Sequence, residues 1–173
     1  MPFYPVSSIL VLLFVPMAFI NLSAQSATVE SPAYRIMLRS LLSHTVPEIS
    51  VSEAHTKLKD YLFLDAREPA EYRVSKISGA RPVGYDHFDL DSVSDIPKDQ
   101  PIIVYCSVGY RSEKVAEQLR AAGYQRVFNL YGGIFEWKNQ GLEIVSPDGA
   151  PTERIHAYNR AWGLWLRKGK KVY

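Results

Sequence analysis

Cys106 is the one thiol in a chain of 173 residues, and it stands in "CSVGYRS" (106–112), with Gly109 and Arg111 close behind it. A lone cysteine has no internal disulfide partner, so it is inert, paired between chains or chemically active. Its neighbours favour the last. The loop follows the apolar run "IIVYC" (102–106) and precedes a helical pattern, so it joins a strand end to a helix start. A tight turn there faces successive backbone N–H groups inward as an anion nest, with Gly109 allowing a positive φ. The helix adds the partial positive charge of its N-terminus, and Arg111 adds a full one. Together these favour thiolate over thiol, the condition for a cysteine nucleophile.

The elements that must hold this loop can be read on either side of it. "YLFLDA" (61–66) and "IIVYC" are continuous apolar runs, the pattern of strands buried on both faces. Between them, "SGARPV" (78–83) turns into a short strand ending near Val83. Residues 112–122 place Val115, Ala116, Leu119 and Ala122 on one face, predicting an amphipathic helix that Gly123 ends. "RVFNL" (126–130) is a further strand, and Gly132-Gly133 opens a last helix containing Phe135 and Trp137. Upstream, residues 34–42 have apolar positions at helical spacing. Ser50 with Glu53 forms a capping-box signature for a helix reaching about Leu58. Strands alternating with helices imply a doubly wound, mainly parallel α/β sheet. Ligands of such sheets sit beyond the carboxyl ends of the strands, where Cys106 stands.

Composition suits one ordinary domain, and a net charge of +2 gives no reason to invoke nucleic acid. "ILVLLFVPMAFI" (9–20) has the length of a signal-peptide core and is short for a membrane span; small residues follow, so cleavage is expected near Ala24. The chain then divides into a signal peptide or N-terminal anchor (1–24), a leader with a short helix (25–46), the α/β domain (47–145) and a basic, aromatic extension (146–173). Export to the periplasm or beyond is expected, with membrane contact confined to the N-terminus or the tail. "SPDGAP" (146–151) marks a linker; beyond it, six basic residues face Glu153 alone. Tyr158, Ala161, Trp162 and Trp165 are at helical spacing. They are expected to form a helix docked on the domain, with membrane-surface or partner binding as the alternative. Docked near the strand ends, that helix would bring His156 or Tyr158 towards the pocket. His44, His55, His87 and His156 lack metal-ligand spacing, Asp86, Asp89 and Asp91 read as a solvated loop, and no cofactor is expected.

Five blocks in register resemble the rhodanese family in its single-domain form, over residues 48–145. They are "DAREPAEY" (65–72), "KISGARPV" (76–83), "CSVGYRS", and, within "GYQRVFNLYGGIFEW" (123–137), the G-[FY]-x-x-V and L-x-G-G-x-x-x-W parts. The resemblance implies a five-stranded sheet and a sulfurtransferase. Cys106 takes a sulfane sulfur from a small anionic donor such as thiosulfate, forms a persulfide, and passes the sulfur to a thiol or to cyanide. Arg111 acts with it, the loop Ser107, Val108, Gly109, Tyr110 and Ser112 holds the sulfur, Arg67 helps hold the donor, and Asp65 braces the site. Backbone amides suit the anionic outer sulfur of a persulfide. Two positions depart from the family pattern. Lys76 replaces a usual His, and Ser107 and Val108 are uncharged where some thiosulfate-preferring relatives carry basic residues. Two rivals remain. A phosphatase or arsenate reductase on the same fold would use a loop one residue longer between cysteine and arginine. A non-catalytic or persulfide-carrying envelope module would dock a protein partner instead.

Overall fold

The structure, a computed structural model, describes residues 28–173, so the segment expected to direct export lies outside the described residues. Five parallel strands form its sheet: β1 (Glu48–Ile49), β2 (Leu62–Asp65), β3 (Arg81–Pro82), β4 (Ile102–Tyr105) and β5 (Val127–Leu130), in the order β1-β5-β4-β2-β3. The helices are α1 (Pro32–Leu41), α2 (Val51–Thr56), α3 (Pro69–Tyr72), α4 (Tyr110–Ala121) and α5 (Gly133–Asn139).

The apolar run of β4 takes the middle of the sheet because it has no polar face to give to water. Its side chains alternate between two cores. Ile103 and Tyr105 join Phe63 of β2 beneath α1, α2 and α5. Ile102 and Val104 join Leu64 of β2 beneath Val115, Ala116 and Leu119 of α4. All four β4 residues are fully buried, each apolar one contributing about 1.5–3 kcal/mol. The α/β class and the doubly wound sheet are therefore as the sequence pattern implied. Ser50 does cap α2, accepting the Glu53 N–H at 3.2 Å. The helix stops at Thr56, short of Leu58. Strand β1 and helix α3, of two and four residues, are too short to show any periodicity.

The leader and the extension both pack on this frame. Ser43 and Thr45 donate backbone N–H groups to the buried carboxylate of Glu113 in α4. The extension corrects the helical expectation. After an antiparallel pair, β6 (Ile144–Val145) with β7 (Pro151–Thr152), it forms a parallel pair, β8 (Arg154–His156) with β9 (Lys170–Val172), joined through a 3₁₀ turn at Trp162–Trp165. Tyr158, at φ 63°, breaks any helix across the aromatic positions. Each aromatic instead finds its own partner. Trp165 stacks on Tyr34 of α1, with ring centroids 5.4 Å apart. Asn139, at the end of α5, donates to the Trp165 carbonyl at 2.9 Å and accepts the Arg167 N–H at 2.7 Å. Ile155, Ala157 and Leu166 enter the larger core, so the extension is part of the fold.

Candidate active site

Cys106 follows β4 directly, at the carboxyl end of the sheet, and is buried beneath a cavity of about 240 Å³. Two neighbours reach its sulfur. The Gly109 N–H donates to Sγ at 3.1 Å, and the Ser112 hydroxyl lies 3.5 Å away. Gly109 adopts φ 126°, a conformation open to glycine, and this turns its N–H back onto the sulfur at the start of α4. Ser112 Oγ lies 2.7 Å from Asn129 Oδ1 of β5 and 3.1 Å from the Gly109 carbonyl, so its single proton is shared among the amide, that carbonyl and the sulfur. Asn129 also donates to the Gly109 carbonyl at 3.0 Å, pinning the loop from the neighbouring strand. Among the described residues, the N–H groups of Ser107, Val108, Tyr110 and Arg111 have no protein acceptor, which leaves them for a ligand.

The loop is held from below by α5. Ile134 and Phe135 donate their N–H groups to the carbonyls of Cys106 and Ser107 at 2.9 and 3.1 Å. That approach requires glycine at 133, at φ 56°, since a Cβ there would stand 2.5 Å from the Cys106 carbonyl oxygen.

Arg111 is held by a carboxylate. Its guanidinium grips Glu71 of α3 with two hydrogen bonds, 2.6 and 2.8 Å, and donates to Ser107 Oγ at 3.0 Å. Glu71 also accepts the Ser107 hydroxyl at 2.9 Å and the Glu68 N–H at 3.0 Å. Burial works against the Glu71 charge. The hydrogen bonds and charge of Arg111 outweigh it and hold the carboxyl below its ordinary range. Burial likewise opposes the Arg111 charge, which Glu71 and the nearby sulfur more than restore. Arg111, expected to add a full positive charge at the loop, also makes a bracing contact. It lines the cavity while its hydrogen bonds fix the loop to α3.

Arg67 stands elsewhere than expected. It is fully buried, with Nε and Nη2 on Asp65 at 2.9 and 2.6 Å and Nη2 on the Ser75 carbonyl at 2.6 Å. It does not line the cavity above Cys106, and so it does not meet a donor there. Asp65 also accepts from the Tyr105 hydroxyl at 2.7 Å, so this network braces the ends of β2 and β4.

Ser107, Val108, Tyr110 and Arg111 line the cavity with Cys106, joined by Glu68, Tyr85, Asp86, Tyr158 and Trp162. Gly109 and Ser112 act from below, on the sulfur itself. Reasoning from sequence missed the part of Glu71, although its place in "DAREPAEY" was visible, and that of Asn129, the one polar residue within β5. From the extension Tyr158 reaches the cavity, whereas His156 accepts the Tyr158 N–H at 3.0 Å and does not line it. Asp86, from the acidic loop, is exposed and also forms part of the rim.

The chain is similar in sequence and fold to known proteins. The Rhodanese-like domain family matches residues 50–140, just over half of the chain. A sulfurtransferase of Allochromatium vinosum is 39% identical over 100 residues, covering 58% of this chain and 92% of that protein. A tRNA uridine(34) hydroxylase of Erwinia tasmaniensis is 32% identical over 107 residues, 56% of this chain but only 31% of the hydroxylase, so the fold also serves as part of larger proteins. Among solved structures, a rhodanese-related protein of Thermoplasma volcanium superposes with a TM-score of 0.53 at 25% identity, over 57% of this chain and 97% of that one. With a match of this extent, and with a buried cysteine at a strand end under a loop of unpaired amides, the chain belongs to the rhodanese-like family.

Proposed function

We propose that the protein is a sulfurtransferase that carries sulfane sulfur as a persulfide on Cys106. The observation that supports this most directly is the sulfur atom itself, buried at the floor of a small cavity with the Gly109 N–H aimed at it. The Cys106 thiolate attacks the outer sulfur of a donor, a new S–S bond forms, and the donor's own S–S bond breaks. The leaving group, sulfite from thiosulfate or a thiolate from a persulfide, departs with the electron pair. An acceptor nucleophile, cyanide or a thiolate, then attacks the outer sulfur, and Cys106 returns to thiolate. No redox partner is required. The negative outer sulfur would be met by the loop amides from Ser107 to Arg111, donors fixed in place before the reaction. A phosphatase reading is disfavoured, because Arg111 is committed to Glu71 and is not free to clamp an oxyanion.

Intact-mass measurement tests the proposal. Incubation with thiosulfate, polysulfide or a persulfidated thiol should add one sulfur atom, and cyanide should remove it. Cys106→Ser should add none, since a serine hydroxyl does not carry sulfane sulfur. If the wild type gains no sulfur from any of the three, the enzyme reading fails and a binding module takes its place. Export is proposed on the apolar segment 9–20 and the small residues that follow it, and finding the full-length chain free in the cytoplasmic fraction would refute it.

A further inference from the structure

The cavity over Cys106 is only partly built by the family domain. Residues 50–140 supply its floor and rim, while Tyr158 and Trp162 come from the extension beyond. Tyr158 is held at φ 63°, a costly conformation for a bulky side chain, of order 1–3 kcal/mol. Its N–H is fixed by His156 at 3.0 Å, and its ring lies 5.2 Å from the Arg111 guanidinium, against the cavity. The extension carrying this strained residue is anchored by buried Ile155, Ala157 and Leu166, so the ring is held over the site by a rigid frame.

The lining has a chemical bias. Four aromatic rings, Tyr85, Tyr110, Tyr158 and Trp162, face it together with Val108. Its charged residues are Glu68, Asp86 and Arg111, and Arg111 is already paired with Glu71. Among the described residues lining it, none is an unpaired cation. A compact dianion such as thiosulfate therefore meets the exposed Asp86 carboxylate at the rim, a Glu68 carboxylate held by the Tyr85 and Asp86 N–H groups, and no free positive side chain. The volume of about 240 Å³ holds roughly eight water molecules at ~30 Å³ each, more than a sulfur atom needs.

Resting on the sulfur-transfer reading, we infer that the donor is an organic hydropersulfide, R–S–S⁻, whose uncharged carbon stem lies between Tyr158 and Trp162. The Cys106 thiolate attacks the outer sulfur, the donor S–S bond breaks, and R–S⁻ leaves with the electron pair from under the two rings. The rings make apolar contact with the stem, and the carboxylate rim disfavours the dianion. The extension thus selects the donor.

Rapid-quench intact mass of the full chain, loaded from butyl hydropersulfide or from thiosulfate, tests this through the ratio of the two loading rates. The intrinsic reactivity of the two donors cancels when variants are compared with wild type. Tyr158→Ala and Trp162→Ala should each shift the ratio towards thiosulfate by about tenfold, the size of effect expected from losing an apolar contact with the stem. Tyr158→Phe should keep the wild-type ratio. Asp86→Lys, at an exposed position where folding is not at stake, should raise loading from thiosulfate several-fold and from the singly charged hydropersulfide by less, about the square root of that factor, so the ratio again shifts towards thiosulfate. A ratio unchanged in Tyr158→Ala, Trp162→Ala and Asp86→Lys overturns the inference, even if all of them load sulfur. Failure of the wild type to load from either donor instead overturns the sulfur-transfer reading, and this inference falls with it.

Discussion

Arg67 and Arg111 each grip a carboxylate through two nitrogens, and both remain charged, but the two pairs have different surroundings. Arg67 and Asp65 are wholly excluded from solvent, roofed by the Tyr105 ring and closed off by the Ser75 carbonyl. Arg111 and Glu71 are 14% and 3% exposed, and the arginine forms part of the cavity wall. The first pair ties β2 to β4 through Tyr105 and lies off the cavity over Cys106, with the Arg67 Nη1 left without a partner among the described residues. The second ties α3 to the cysteine loop through Ser107, and its arginine stands in the cavity wall. An arginine in a motif is therefore not by itself an anion-binding group. Where its carboxylate sits decides whether its charge is used up beneath the site or held beside it.

The comparison breaks most visibly if the inner pair is opened. Arg67→Met keeps the bulk and strands Asp65 as a buried charge, a loss of about 3–5 kcal/mol. In a chain of this size that lowers Tm by roughly 6–20 °C. Protein folded at low temperature should still load sulfur within a few-fold of wild type. A folded Arg67→Met that cannot load would mean that Arg67 serves the donor after all. Arg111→Ala should do less to stability, about 2–3 kcal/mol, because cavity water can reach Glu71. It should slow loading by at least about tenfold, as the loop loses its tether and a nearby charge. Arg111→Lys, charged but without the planar fork, should recover part of the stability and less of the rate. Thermal melts beside intact-mass kinetics separate the two arginines.

This division was only half visible in the sequence. The buried strands, the capped helix α2 and the cysteine loop announce themselves through local pattern, because each is decided by residues close in the chain. Cys106, Gly109 and Ser112 lie at successive three-residue steps, so their meeting was foreseeable. The partner of Arg111 is Glu71, forty residues away, and that of Ser112 is Asn129, seventeen away. No periodicity encodes such pairs; parallel packing of β2, β4 and β5 makes them. The extension misled for a related reason. Aromatic residues at helical spacing predict a helix only if they share one neighbour, whereas Trp162 faces the cavity and Trp165 faces Tyr34.

Acid sharpens the comparison further. Burial would raise the Glu71 carboxyl, but Arg111 and the Glu68 N–H hold it below the ordinary value near 4.5. The folded state thus binds fewer protons than the unfolded one. The resulting stability is fully present above the unfolded value and decays as pH falls through the lower folded one. Melts from pH 7 downward should show the wild type losing Tm progressively below about pH 5, with Glu71→Gln, lower throughout, showing a shallower acid slope. Equal slopes would mean that Arg111 does not hold Glu71 charged.

The smallest effect concerns the contact between the outer pair and the extension. The Arg111 guanidinium lies 5.2 Å from the centre of the Tyr158 ring, which is half exposed. Such a contact is worth about 0.5–1 kcal/mol at an exposed site. Tyr158→Leu keeps an apolar side chain at the same backbone position but removes the π face, so Tm should fall by only about 1–4 °C. Tyr158→Phe, which keeps the ring, should melt with wild type. The extension has its own anchors in Ile155, Ala157 and Leu166, and the Arg111–Glu71 pair needs no ring to form. A loss in Tyr158→Leu as large as that of Arg111→Ala would overturn this separation. The ring would then be a third member of the brace, and the cysteine loop would depend on the extension for its shape as well as for its cover.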